Sequence, residues 1–344
     1  MRSARPLNLK SGQVDLSHGA GGRAMAQLIA EVFASELGNE HLAQGDDGAR
    51  LPACKGRLVM STDAHVVSPL FFPGGDIGCL AVHGTINDVA VMGARPLYLA
   101  ASFVLEEGYP LADLKRIVAS MAAAARAAGV PVVTGDTKVV ERGKADGVFI
   151  TTTGLGVLPP GIALSGAHAQ AGDVVLVSGP IGDHGMAIMT LRENLEFDSP
   201  IVSDTAALHG LIADLLAAAP DTHVLRDPTR GGLAATLNEI AHQSGVGIVL
   251  EEAAIPVRPA VAAACELLGL DPLDIACEGR LIAICPAASA GRALAALRAH
   301  ALGTEAACIG EVIADERRFV QMQTRFGGRR MVDWLAGDAL PRIC

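Results

Sequence analysis

The chain has 344 residues, half of them hydrophobic, with 27 Lys and Arg against 37 Asp and Glu and a formal net charge of −10. A single core stops growing near about 250–300 residues, so two domains are expected, and an acidic chain without a basic stripe is repelled by phosphate backbones, which argues against a nucleic-acid partner. No run of about 18 apolar residues could span a membrane, no signal-peptide run follows the basic start MRSARPLNLKSG, and seven scattered cysteines without a C-x-x-C pair fit a reducing cytoplasm better than a disulfide framework or a zinc knot.

Apolar runs of period two alternate with helical ones, the pattern of a mixed α/β chain. In the first half the pattern predicts a helix over 23–37, a strand over 57–62, a helix over 76–92, a strand over 97–105, a helix over 111–128 opened by Pro110, and strands over 130–134 and 148–157. The stretch LPPGIALSGAHAQAGD, 158–173, is rich in Gly, Pro and Ala and lacks periodicity. The domain boundary is therefore expected there, giving an N-terminal domain 1–157, a linker 158–172 and a C-terminal α/β domain 173–334. The second half predicts strands over 174–178, 223–226, 246–250 and 281–285, with helices near 184–192, 205–218, 232–244, 259–268 and 287–301. Apolar residues recur at Ile309, Val312, Phe319 and Met322. After Trp334 the pattern dissolves into AGDALPRIC, where Gly337 and Pro341 oppose a helix, and a short mobile tail over 335–344 is expected.

Five carboxylates stand where apolar or neutral residues are expected: Asp47 in GDDGA, Asp63 after a strand in LVMSTD, Asp88 inside an apolar helix, Asp136 at a strand end in VVTGD, and Asp227 at another in VLRDPTRGG. No Lys or Arg lies between Ile77 and Ala94 to neutralise Asp88. A lone buried carboxylate costs several kcal/mol or more; a divalent cation removes that cost, and oxygen-only ligands suit Mg²⁺ shared with phosphates. The plainer alternative for any one of them is a cap or a distant Arg partner.

Three Gly-rich loops open helices: HGAGGR at 18–23, PGGD at 73–76 and TRGG at 229–232. Their backbone N–H groups suit phosphate oxygens, although none is a Walker motif. Lys138, two residues after Asp136, reads either as half of a solvated pair or as a charge for a transferring phosphoryl group. Glu278 in IACEGRL reads either as a surface acid or as a general base for an N–H proton. Six of the cysteines read as small buried hydrophobes, but Cys344 is the last residue. Its own α-carboxylate disfavours the thiolate, so a reactive role needs outside help; the alternative is an incidental thiol. Prenylation is excluded, because that motif needs three residues after the cysteine.

In order, the segments HGAGGRAM, STDAHVVSPLFFPGGDIGCLAVHGTINDVAVMGARP, VVTGDTKVVERG, SGPIGDHGMAI, LRDPTRGGLAATLNEIA, IACEGRL and the ending LPRIC resemble the HypE family of hydrogenase maturation factors. That family lies within the ATP-binding superfamily of aminoimidazole ribonucleotide synthetase, selenophosphate synthetase and thiamine-monophosphate kinase. The resemblance implies an α/β fold of two domains, the N-terminal one forming a β-barrel across a homodimer, with ATP held between domains near the dimer interface. It implies nucleotide contacts at His18, Gly19, Gly21, Gly22, Asp63, Asp88, Asp136, Thr137 and Asp227, and Mg²⁺ at Asp47, Asp63, Asp88 and Asp227. Cys344, Glu278 and Lys138 become the catalytic set. The implied reaction is ATP-dependent dehydration of a carboxamide on the Cys344 sulfur to a thiocyanate, a cyanide source for the Fe(CN)2CO centre of [NiFe] hydrogenase. The implied partners are a HypF-type carbamoyltransferase and an iron-carrying HypC–HypD complex. Two other readings compete. A selenophosphate synthetase would carry a Cys or selenocysteine in the first glycine loop, whereas the first cysteine here is Cys54. A non-catalytic adaptor presenting Cys344 would release no phosphate from ATP.

Overall fold

The computed structural model describes residues 6–195, 197, 200–334 and 342–344. The chain enters through α1 (Arg23–Leu28), widens into a π turn over Ile29–Ala34 and closes as α2 (Ser35–Leu37), so the single helix expected over 23–37 is broken into three pieces. Strand β1 (Arg57–His65) and a two-strand ribbon, β2 (Phe71–Phe72) with β3 (Gly75–Asp76), lead into α3 (Ile77–Val91). Then come β4 (Arg95–Glu106), α4 (Leu111–Ala128), β5 (Val132–Val140) and β6 (Val148–Leu158). The four long strands form one sheet in the order β1-β6-β4-β5. β4 and β5 run parallel, joined through α4, and the other pairs are antiparallel.

Two strands outrun their expected ends. β1 pairs with β6 as far as His65 opposite Ile150, and β5 pairs with β4 as far as Val140 opposite Glu106. Asp63, Asp136 and Lys138 therefore lie inside strands rather than past them. The expected strand stops at residue 134, just before Gly135, and glycine is poor in strands. Here it admits the neighbouring backbone, since a Cβ would stand 2.2 Å from the Ala101 carbonyl oxygen.

Helix α3 starts where the Asp76 carboxylate accepts the Gly78 and Cys79 N–H groups at 2.8 and 3.2 Å, the usual arrangement of a helix N-cap. It is buried on nearly every side because it serves two cores. Leu80, Val82 and Ile86 join the first-half core with Leu114, Ile117 and Met121 of α4. Ala90 and Val91 join a core of the second half. An apolar helix without a polar face is what such a position requires.

The second half contains β7 (Asp173–Val177), α5 (Asp183–Arg192), α6 (His209–Ala218), β8 (Val224–Arg226), α7 (Gly232–Ser244), β9 (Gly247–Glu251), α8 (Pro259–Leu268), β10 (Ile282–Pro286), α9 (Ala287–Ala299), β11 (Ala307–Ile313), β12 (Val320–Gln323) and β13 (Arg329–Met331). Its sheet runs β13-β12-β9-β11-β7-β10-β8. Successive residues of β7 face opposite ways, as a strand demands: Val175 and Val177 meet Leu233 and Leu237 of α7, while Leu176 meets Leu211 of α6 and Leu297 of α9. The helix expected over 205–218 begins only at His209, because Asn87 holds the preceding segment through its bonds to the Leu208 N–H and the Ala206 carbonyl. The apolar residues after 306 form β11 to β13, strands the periodicity did not resolve. Cys265, Cys277 and Cys285 are buried as expected, but Cys54 and Cys308 are exposed.

Residues 335–341 of the expected tail lie outside the described residues. The last three are seated against the body. Val66 N–H donates to the terminal carboxylate of Cys344 at 3.0 Å and Ser68 N–H to the Arg342 carbonyl at 3.1 Å. Ile343 is 3% exposed.

Candidate active site

Four of the singled-out acids converge on α3. Asp63 sits on the half-buried side of β1 with Ser61 and His65, two residues apart and therefore facing one way. Asp88 reaches β1 from α3, where Ser61 Oγ donates to Asp88 Oδ2 at 2.7 Å. Asp227 directly follows β8, and Glu278 lies just before β10. Gly84 marks where they meet: a Cβ there would stand 3.0 Å from His65 Nε2, 3.7 Å from Asp63 Oδ2 and 3.8 Å from Glu278 Oε2. Only a residue without a side chain leaves that space open.

The electrostatics of this cluster are those of crowded, dry carboxylates. Burial pushes the Asp88 carboxyl up, against the Ser61 bond that lowers it, and Asp63 adds repulsion. Burial, then the neighbouring Asp88, lifts Asp227 to about 7. Glu278 is 3% exposed and held well above the ordinary carboxylate range by burial first, then by Asp227, Asp204, Asp63 and Asp88. Its Oε1 has no hydrogen-bond partner among the described residues. Glu278 is thus not the surface acid that one reading allowed. Arg226 and Arg230 approach Asp88 closely enough to lower it somewhat, but Arg226 is engaged by Glu239 at 2.6 Å.

Among the described residues, no three His, Cys, Asp or Glu side chains stand together as a ready-made metal cage. The oxygen-only donors and their uncompensated charge fit Mg²⁺, which keeps waters and shares its shell with phosphates instead of demanding an all-protein cage. Asp63, Asp88 and Asp227 are the residues that would hold it. Asp47 stands exposed on the bend at 46–48.

The other singled-out residues lie elsewhere. Asp136 and Lys138 are on β5, the opposite outer strand from β1, roughly 14 Å away at about 4.8 Å per strand. They flank buried Thr137 and point to the sheet face away from α3 and α4. Lys138 Nζ meets Asp136 Oδ2 at 2.6 Å, with both side chains more than half exposed. That bond to Lys138 is what chiefly holds the Asp136 carboxyl low. The loop from His18 joins this group: Gly19 lies against Val139, Gly21 and Gly22 are exposed, and His18 Nδ1 accepts the Asp15 N–H at 3.0 Å. One chain therefore holds two separate groups where the sequence suggested one pocket.

Cys344 is tied to the strand segment that follows Asp63: the Val66 N–H that holds its terminal carboxylate is three residues past Asp63. Ile343 and Cys344 pack into the core that contains Val67, Phe72 and Ala276, the last two residues before Glu278.

Comparison with known proteins is decisive. Residues 45–158 match the AIR synthase related protein N-terminal domain, and residues 170–323 its C-terminal domain. The chain is 69% identical over 341 residues to the carbamoyl dehydratase HypE of Cupriavidus necator, covering 99% of this chain and 97% of that one. The chain belongs to the HypE family. Its fold superposes on a crystal structure of the hydrogenase maturation protein HypE in complex with ATP, with a TM-score of 0.92 at 50% identity, covering 96% of this chain and 99% of the other. It also matches a HypE chain in a HypE–HypF complex, with a TM-score of 0.79 at 49% identity over 90% and 99% of the two chains.

Within this HypE-family site, four residues went unread in the sequence. His65 stands 3.5 Å from Asp63 Oδ2 and is buried, which pushes its imidazole pKa down; its position two residues after Asp63 was the available signal. Asp204 accepts the Glu278 N–H at 3.1 Å, and its carboxyl is pushed up by burial while Arg280 opposes. Asn87, beside Asp88 in sequence, holds the Glu278 carbonyl at 3.3 Å. His184 bonds the Ile343 carbonyl at 2.9 Å. The last three had no signal, since each acts across more than 70 residues of chain.

Proposed function

We propose that this chain performs the carbamoyl dehydratase reaction on its own C-terminus. A carboxamide carried on Cys344 sulfur is activated by ATP and loses the elements of water, leaving Cys344–S–C≡N, ADP and phosphate. The observation that carries this reading is the seating of Cys344 on Val66, three residues along the chain from Asp63 of the buried acid group.

The residues divide the work by their environments. The amide oxygen is a poor leaving group until it takes the γ-phosphoryl group. Two N–H protons must then depart as the C–O bond breaks and the C≡N bond forms. Glu278, buried and with an unpartnered oxygen, is the base for an N–H proton, since burial that raises its pKa makes its carboxylate a stronger base than an exposed one. Bound Mg²⁺ would supply charge neutralisation on the phosphates, and Asp63, Asp88 and Asp227 would hold it, with Asp47 assigned there by family resemblance. The loop of His18, Gly19, Gly21 and Gly22 with Asp136 and Thr137 would bind nucleotide, and Lys138 would offset charge on the transferring phosphoryl group.

A homodimer belongs to the same proposal. β1 is an outer strand with Leu58 59% and Met60 73% exposed, and Asp136 and Lys138 on β5 are more than half exposed as well. Exposed apolar edge strands invite pairing, and a second copy closing over these strands would bury Leu58 and Met60 and place Lys138 at the junction. A HypF-type protein would load the carboxamide, and a HypC–HypD complex would accept the cyanide. Among the described residues no helix is long and apolar enough to cross a membrane.

The test is phosphate release from ATP with the carbamoylated chain and Mg²⁺. Release should require the carboxamide on Cys344 and vanish in Cys344→Ser, which still binds ATP. Equal release from both would contradict the reading, and the absence of release from either would favour an adaptor.

A further inference from the structure

The seat of the chain end has a component that no acid or phosphate role explains. His184, in the first turn of α5, is fully buried. Its Nε2 lies 2.9 Å from the Ile343 carbonyl oxygen, and its Nδ1 lies 2.7 Å from Ser203 Oγ. The direction of each bond can be worked out. The Ile343 carbonyl can only accept, so the ring carries its hydrogen on Nε2 and donates it there. The bare Nδ1 of the neutral ring then accepts the Ser203 hydroxyl proton, while Ser203 Oγ accepts the Thr205 N–H at 3.1 Å. Burial lowers the imidazole pKa to about 4, so the neutral ring with this one donor is the state at working pH. Phe72 packs against the ring edge-on, with centroids 5.5 Å apart at 88°. Ser203 itself is fixed by donating its N–H to the Pro73 carbonyl at 2.8 Å.

The chain end is therefore gripped from two sides. Val66 and Ser68 of the first half donate to the terminal carboxylate of Cys344 and the carbonyl of Arg342, and His184 of the second half donates to the Ile343 carbonyl between them. The backbone oxygens of three consecutive residues are read by two halves of the molecule. A residue whose one free proton points at the penultimate carbonyl, with its tautomer supported by a dedicated hydroxyl, fixes where the next side chain goes.

We infer that His184 is a positioning residue: through its bond to the Ile343 carbonyl it seats Cys344 against the Val66 segment that follows Asp63, with the Ser203 hydroxyl supporting the tautomer that makes the bond. The inference deepens the proposed function and rests on Cys344 being the reacting group.

The test uses the full-length chain and reads the thiol directly. Iodoacetamide alkylation of Cys344 is followed by mass spectrometry, with exposed Cys54 and Cys308 as internal references, and hydrogen exchange is followed at Val66 and Ser68. His184→Phe keeps the aromatic volume and removes both bonds. It should speed Cys344 alkylation about tenfold, the worth of one buried hydrogen bond, leave the reference cysteines unchanged and expose the Val66 and Ser68 amides. His184→Gln, whose amide nitrogen can replace Nε2–H, should stay within about twofold of the native chain. Ser203→Ala, a milder change should the Phe variant fail to fold, should fall between them, at roughly threefold. With the carbamoylated chain, the Phe variant should lose turnover while its KM for ATP stays unchanged. Unchanged alkylation and exchange in the folded Phe and Ala variants would overturn the inference, as would a Gln variant that behaves like Phe. Altered alkylation together with a native chain that forms no thiocyanate would sustain the seat and refute the function instead.

Discussion

The two edges of the first sheet border carboxylates in opposite states. On β1 and the α3 helix beneath it, Asp63 and Asp88 join Asp227 and Glu278 in a buried group whose members repel one another, and Asp88, Asp227 and Glu278 are pushed towards the protonated form. On β5, Asp136 is exposed, paired with Lys138 and held low. The same functional group is thus poised to exchange protons or accept a cation at one edge and to remain a plain anion at the other. Burial without compensating charge is expensive, so the β1 group stores a cost that substrate, phosphate and metal can relieve. The β5 pair stores almost none.

Four substitutions sharpen or break this contrast. The largest effect is expected for Glu278→Gln, which keeps shape but cannot take a proton. Thiocyanate formation should drop by about 10²–10⁴-fold, the usual worth of a general base, with nucleotide binding retained; a loss below tenfold would take the proton-handling role away from the buried group. Next, Lys138→Ala should slow conversion by about 10²–10³-fold through lost charge stabilisation. Its melting temperature should not move, because the pair it breaks lies in solvent. A stability loss comparable to a core mutation would mean the pair is structural.

Asp227→Asn tests the stored cost itself. Folded Asp227 keeps its proton to about 7, whereas the ordinary carboxyl loses it near 3.8. The folded state therefore binds the extra proton between those values and loses stability as pH rises through that window, with no further change above it. The stability of the Asp227→Asn variant relative to the native chain should accordingly grow between pH 4 and 7, by at most roughly 4 kcal/mol, and Mg²⁺ with ATP should shrink the gap. A difference independent of pH in chemical denaturation would place the Asp227 pKa elsewhere. The smallest effect belongs to Asp136→Asn, which should change stability by under about 0.5 kcal/mol at any pH above 5.

Much of this was legible in the sequence for identifiable reasons. Period-two and helical runs located the long elements, because α4 and α7 each show water one face and the core another. Asp88 stood out because an apolar helix has no local cation for it. Strand ends were misjudged where glycine served close packing, as at Gly135, and not termination. The 307–331 strands were missed because β11 carries a bulge between Cys308 and Gly310 and β12 and β13 are only four and three residues long. Spatial grouping was the main thing the sequence withheld. Asp136 and Asp63 look alike along the chain, and only strand order reveals that they occupy opposite edges. The seat of Cys344 was equally hidden, since Val66 and His184 lie more than 150 residues away and act through main-chain oxygens that carry no sequence signature.

The most direct measurement is the mass of the C-terminal peptide after the carbamoylated chain meets ATP and Mg²⁺. Loss of one water from the carboxamide on Cys344, in step with ADP formation and absent without nucleotide, is the predicted result. A carboxamide that persists at Cys344 while ATP is consumed would contradict the account.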